Sequence, residues 1–193
     1  CLLSRGLGDV YKRQAVSNVN EKALRKTLQI KPCKSWSGIV TITIFTSPFP
    51  SYVDAETGER KTQSFSCAFN CSYCPKEPQM PRSYLKGEPA VLRATRNDFD
   101  CARQIWDRMN ALYMTGHSPL KLEIIVSGGT WTSYPQEYRE EFCRDIYYAA
   151  NVFWNDIESG RRARLRLEEE KEKNKDAMSR VVGLTVETRP DTI

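Results

Sequence analysis

The sequence predicts an α/β fold: a partial (β/α) barrel whose parallel sheet is truncated after about three strands. Three observations carry this. The runs GIVTITIFT (38–46), KLEIIVS (121–127) and VVGLTVE (181–187) are short, apolar and rich in β-branched residues. Helical patterns alternate with them, which implies right-handed crossovers and a parallel sheet. The unusual residues of the chain lie just after each run, where parallel sheets and barrels collect their chemistry.

The bulk properties bound the reading. The 193 residues suffice for one domain with a real core. No stretch approaches the roughly 20 apolar residues of a membrane span, so no membrane partner is expected. A net charge of +5 permits a nucleic-acid partner without arguing for one. Seven cysteines is an odd count, and Cys1, Cys33, Cys101 and Cys143 are scattered. Without a secretory pattern, a reducing, cytoplasmic setting fits better than a disulfide framework. CLLSRGLGDVYKRQ (1–14) has no period and resembles translated adapter sequence. Residues 1–19 are therefore set aside as a non-native or disordered leader, and 20–193 are the domain. RPDTI follows directly on a strand-like run, so the chain is expected to stop before its domain is complete.

In order, NEKALRKTLQI (20–30) reads as a short amphipathic helix, and the first strand follows. Residues 51–97 show no long period and read as a long loop with at most short helical turns. A helix is predicted over about 98–115, with Phe99, Ala102, Ile105, Trp106, Met109, Leu112 and Tyr113 on one face. Asn97 is the expected cap and Gly116 the expected stop. After the second strand, Ser133 and Gln136 form a capping box with Pro135 in the first turn. That helix should bury Tyr138, Phe142, Ile146, Ala149 and Phe153. Residues 158–180, dominated by RRARLRLEEEKEKNKD, read as a solvated helix or tolerated insertion before the third strand.

The loop after the first strand contains SFSCAFNCSYCPKEP (64–78), which spaces Cys67, Cys71 and Cys74 as C-x3-C-x2-C. Structural zinc wants four ligands. His117 is a distant fourth, but at a helix end a surface or capping role is its default. Cys101 and Cys143 read as buried helical thiols. A 4Fe–4S cluster held by three cysteines leaves one iron open. That is the arrangement of radical S-adenosylmethionine enzymes, with an aromatic, here Tyr73, before the last cysteine. There the open iron chelates the methionine end of S-adenosylmethionine, and an electron from the cluster cleaves the sulfonium. The protein positions the cofactor, and no catalytic residue is assigned beyond the cluster. Gly128, Gly129 and Thr130 after the second strand fit the methionine ammonium group; an ordinary turn is the alternative. Glu187 and Arg189 after the third strand fit cofactor or substrate; a salt-bridged strand end is the alternative.

TSPFPSY, CSYCPKEP, PRSYLKGEPAVLRATRNDFD, VSGGTWTSYPQEYREEF and GLTVETRPD together resemble the catalytic third subunit of the Elongator complex and its single-chain homologues, from about residue 22 onward. The resemblance implies modification of C5 of the tRNA wobble uridine with a carboxymethyl-type group derived from acetyl-CoA. It implies a radical S-adenosylmethionine domain followed by an acetyltransferase domain, which is missing here, so full turnover is not expected of this chain. The implied partners are the tRNA anticodon stem-loop and other Elongator subunits. The family has a longer spacing between its first two cluster cysteines; the three residues here point to a divergent branch. Lys76, Arg82, Lys86, Arg93 and Arg96, with Tyr84 among them, suit phosphate contacts and base stacking; a solvated loop is the alternative. Two rival readings are another radical enzyme, such as a methylthiotransferase, and a zinc-stabilised RNA-binding module. The first would lack PRSYLKGEP and ETRPD. With its last strand unpartnered, the isolated chain should be poorly soluble; a monodisperse, cooperatively melting sample would contradict that.

Overall fold

The computed structural model describes residues 21–155 and 160–192; the leader assigned to residues 1–19 lies outside them. Helix α1 (Glu21–Thr27) precedes strand β1 (Val40–Phe45). A hairpin of β2 (Ser51–Val53) and β3 (Arg60–Thr62) follows, then helices α2 (Pro89–Arg96) and α3 (Cys101–Met114). Strand β4 (Lys121–Ser127), helices α4 (Gln136–Val152) and α5 (Leu167–Asn174) and strand β5 (Arg180–Val186) complete the order.

The three predicted runs form one parallel sheet in the order β1-β4-β5. Among the described residues this sheet is an open arc, not a closed barrel. Val40, Ile42, Ile44, Leu122, Ile124 and Val126 alternate onto one buried face. Ala102, Ile105 and Met109 of α3 and Phe142, Ile146 and Ala149 of α4 cover that face. Each such isoleucine contributes on the order of 2 kcal/mol by leaving water. Pairing between β4 and β5 skips Val182, because Leu122 faces Val181 and Glu123 faces Gly183. Val182 and Leu184 of β5 remain exposed.

The stretch read as a long loop holds two elements. The β2–β3 hairpin pairs Ser51 with Thr62 and Val53 with Arg60. Asp54 closes its turn by accepting from the backbone N–H groups of Glu56 and Thr57 and from Lys61. Three-residue strands show no period, so the sequence could not announce them. Helix α2 begins on Pro89, the favoured first helical position, and buries Val91 and Ala94 against Phe45.

The caps also differ from expectation. Asp100, not Asn97, caps α3, accepting from Arg103 N at 2.8 Å. Asn97 ends α2, its side chain donating to Arg93 O at 2.9 Å. Helix α4 follows Pro135 with no side-chain cap, because Ser133 belongs to a separate 3-10 turn, Trp131–Ser133. His117 is buried rather than superficial, at 3% exposure. Its Nε2 donates to Ile30 O (2.9 Å), and its Nδ1 accepts from Gln29 Nε2 (3.0 Å) and lies 2.8 Å from Ser35 Oγ. The tautomer is assigned from that network.

The charged segment contains the expected helix with Glu168, Glu169, Glu172 and Lys173 exposed, but part of it is drawn into the fold. Glu170 has no exposed side-chain surface, and Arg162 grips both its oxygens at 2.6 Å. Asn151 and the Leu165 N–H add bonds of 2.8 and 3.0 Å. Asn174 bridges Asn151, Ser179 O and Val181 N. Arg161 lies 3.7 Å above the Trp106 ring. The segment thereby staples α4 to the start of β5. Residues 158 and 159 of the predicted segment lie outside the described residues.

No helix among the described residues is long and apolar enough to cross a membrane. Burial opposes ionisation of Glu170, but its bonds from Arg162, Leu165 and Asn151 outweigh that and hold its carboxyl below the ordinary range. Its contribution is therefore present above the ordinary carboxylate pKa and fades as pH falls through the depressed one. Glu170→Ala, leaving Arg162 uncompensated, is expected to cost about 3 kcal/mol in urea unfolding at neutral pH. The deficit should shrink on acidification.

Candidate metal centre at the strand ends

The site is built on a held strand end. Gln104 is fully buried in α3 and bonds both backbone groups of Phe45 at 2.9 Å, clamping the end of β1. Thr46 then carries the pairing one step further, donating N–H to Ser127 O at 3.0 Å. Its hydroxyl lies 2.7 Å from that of Tyr134, which donates to Gly128 O at 2.9 Å. Burial pushes the Tyr134 phenol up. Phe65 stacks on Tyr134 at 4.1 Å, and Tyr134 stacks on Tyr138 at 5.2 Å. The Tyr138 oxygen accepts from Ser47 N at 2.9 Å. This aromatic pile forms a floor beneath the start of the cysteine loop.

The glycine pair after β4 is required by backbone and by space. Gly128 has φ +131°, and a Cβ there would sit 2.1 Å from Thr46 Oγ1. Gly129 has φ +109°, and a Cβ there would meet Arg82 Cβ at 3.0 Å and Phe65 at 3.1 Å. The close approach expected of a ligand is thus made by the protein itself. Glu187 laces the loop to the end of β5: its Oε2 accepts from Gly128 N (3.3 Å) and from the Tyr84 hydroxyl (2.9 Å). Its carbonyl accepts from Trp131 N at 2.9 Å.

Each thiol of the loop meets a different polar partner. Cys67 Sγ lies 3.5 Å from the hydroxyl of buried Thr130. Burial opposes its ionisation, yet bonds from Thr130, the Phe69 backbone and Ser133 prevail and lower its pKa. Cys74 Sγ accepts from Arg82 Nε at 3.1 Å and lies 2.9 Å from Ser83 Oγ. Cys71 Sγ accepts from Arg189 Nη1 at 3.4 Å. Arg189 also covers the Phe69 ring at 4.0 Å and pairs with Asp191 at 2.7 Å. Tyr73 is exposed, and its hydrogen bond to Cys71 raises its phenol.

Among the described residues, no three potential ligands are drawn together at metal-holding separation. The donor set nonetheless fits an iron–sulfur cluster: three free, partly exposed thiols on one loop, with hydrogen-bond donors facing their sulfurs. It does not fit a closed zinc site. Cys101 is buried and gives its thiol to Phe142 O; burial pushes that thiol and the thiol of Cys143 up. Both nitrogens of His117 are already engaged.

The six residues proposed for RNA divide evenly. Lys76, Lys86 and Arg96 are exposed. The other three turn inward. Arg82 serves Cys74. Tyr84 sets its ring edge-on to Phe45 at 4.6 Å and bonds Glu187. Arg93, half-buried, donates to Thr43 O at 2.7 Å. All three are half-buried and bonded to groups of the chain itself. Sequence reasoning also missed the roles of Thr46, Phe65, Gln104 and Tyr134; Thr46, Phe65 and Tyr134 lie in the quoted strings TSPFPSY, SFSCAFNCSYCPKEP and VSGGTWTSYPQEYREEF, whereas Gln104 had no signal. A cavity of about 240 Å³ beside the loop, lined by Phe49, Phe65, Lys76, Met80 and Arg82 among others, had no signal at all.

No family model matches the chain. It is 33% identical over 161 residues to tRNA uridine(34) acetyltransferase of Dehalococcoides mccartyi, covering 83% of this chain and 30% of that protein. Against Elongator complex protein 3 of Saccharomyces cerevisiae the identity is 33% over 89% of this chain and 28% of the relative. Against the Homo sapiens protein of that name it is 31% over 92% and 30%. An archaeal Elp3 structure, from Methanocaldococcus infernus with an N-terminal deletion, superposes with a TM-score of 0.51 at 23% identity. It covers 80% of this chain and 24% of that one, and shows a shared fold. The chain spans about 30% of the length of the curated relatives it matches. Over that stretch, the chain is a homologue of the Elongator complex protein 3 family.

Proposed function

We propose that this chain is the cluster-binding stretch of a radical S-adenosylmethionine enzyme that modifies C5 of tRNA uridine 34. The observation that carries the reading is the meeting of loop and strand ends: Cys67 at Thr130 after β4, and Cys71 at Arg189 after β5. The names of the relatives supply the substrate, a tRNA uridine, and the acetyl group. The reading extends to a carboxymethyl-type product, acetyl-CoA as its source and association with other Elongator subunits, and the kinship with proteins named for that complex supports it.

Cys67, Cys71 and Cys74 would hold the 4Fe–4S cluster. When bound, the cluster supplies the electron that cleaves S-adenosylmethionine. The chain's own residues prepare for it. Thr130 favours the Cys67 thiolate. Glu187 fixes the Gly128 N–H and so orients the loop after β4. The Phe65–Tyr134–Tyr138 pile keeps water from the strand ends beneath the cysteines. Tyr73, Gly129 and Thr130 are the residues assigned to the methionine end of the cofactor; Gly128, Glu187 and Arg189 support them. Lys76, Lys86 and Arg96 are assigned to phosphates of the anticodon stem-loop.

Anaerobic reconstitution with iron and sulfide should give a brown protein that cleaves S-adenosylmethionine under reduction. Cys67→Ala, Cys71→Ala and Cys74→Ala should each abolish the cluster absorbance while far-UV circular dichroism is unchanged. A colourless chain holding one tight zinc ion would overturn the reading. For RNA, replacing Lys76, Lys86 and Arg96 with alanine should weaken anticodon stem-loop binding. The slope of log K against log salt should fall by about one for each phosphate no longer neutralised; an unchanged slope would remove these three residues from the interface.

A further inference from the structure

We infer that Arg82 and Arg189 are the charge partners of the cluster ligands, seating Cys74 and Cys71 and raising the one-electron midpoint potential of the cluster those cysteines hold. The inference rests on the three-cysteine reading above. It reassigns two residues whose sequence positions pointed to RNA and to the cofactor.

The geometry is asymmetric. Two of the three thiols face a guanidinium, at 3.1 Å for Cys74 and 3.4 Å for Cys71, whereas Cys67 faces the neutral Thr130 hydroxyl. Both arginines are held from behind. Arg82 follows buried Pro81 in a turn closed by Tyr84 N to Pro81 O at 3.2 Å. Its Cβ packs where only a glycine at 129 leaves room. Arg189 leaves the end of β5 with its guanidinium carbon 4.0 Å from the centre of the Phe69 ring. A guanidinium stays charged at any working pH. A fixed positive charge beside a cluster favours the reduced form, which carries one more negative charge. Outer hydrogen bonds to ligating groups tune metal centres in the same sense.

The two arginines differ in strength. Arg189 is paired with Asp191 through bonds of 2.9 and 2.7 Å, which offset much of its field. Arg82 has no carboxylate within ion-pair distance among the described residues. Arg82 therefore carries the larger share.

The test is a redox titration of the reconstituted full chain followed by electron paramagnetic resonance, with iron counted per chain. Arg82→Gln and Arg189→Gln should both move the midpoint to more negative potential, Arg82→Gln further. Arg82→Lys should recover most of the shift, because it restores charge without the planar fork. Asp191→Asn, which leaves both arginines in place, should move the midpoint the other way. Wild-type potential in both glutamine variants overturns the inference while leaving the cluster reading intact. So does a lysine variant shifted as far as the glutamine one, since the role would then be shape alone. If either glutamine variant fails to fold, Asp191→Asn decides: a positive shift supports the inference and no shift overturns it. A wild-type chain that takes up no cluster overturns both readings together.

Discussion

The bond from Thr46 N to Ser127 O is the step on which the site depends. It extends the β1–β4 pairing past the last regular residue and brings two loops of unrelated sequence edge to edge. Gln104 secures it from below by holding Phe45 through both backbone groups. Without a level strand end, the Thr46 hydroxyl would not reach Tyr134, and Tyr134 would not reach Gly128 O. The stack that supports Phe65, and through it the first cysteine, would lose its base. A buried glutamine outside the cysteine loop thus governs where the loop's thiols lie, because an unpaired backbone group in that interior costs about 1–3 kcal/mol.

The legible parts of the sequence were those with a period or a rare spacing. All three central strands were found, within two residues at each end, because β-branched runs between helical patterns leave little choice. The cysteine loop was legible because C-x3-C-x2-C has few uses. The hairpin and α2 were not, since three-residue strands and an eight-residue helix starting on proline fall below any periodic signal. Caps were misplaced where two candidates competed: Asn97 and Asp100 both suit an N-cap, and the left-handed turn at Asp98 and Phe99 awarded it to the second.

Charge was the least legible property. Composition counted Arg82, Arg93, Arg162 and Glu170 as surface. Tertiary partners drew each of them inward: a thiol, a strand carbonyl, and a buried carboxylate gripped at both oxygens. Whether a charged side chain faces water is decided by what lies opposite it across the fold, and that information is not local in sequence. The same holds for His117, which looked like a helix-end residue and is the buried joint between residues 29–35 and the end of α3.

The contact between Gly128 and Thr46 has a consequence for how this site can change over time. A side chain at 128 would collide with the Thr46 hydroxyl, so the two positions are epistatic. Shortening Thr46 first would clear the collision but detach Tyr134 from its neighbour. Changing Gly128 first would meet both the collision and the positive φ. Neither order of single steps is smooth. This pair is walled in by its own geometry.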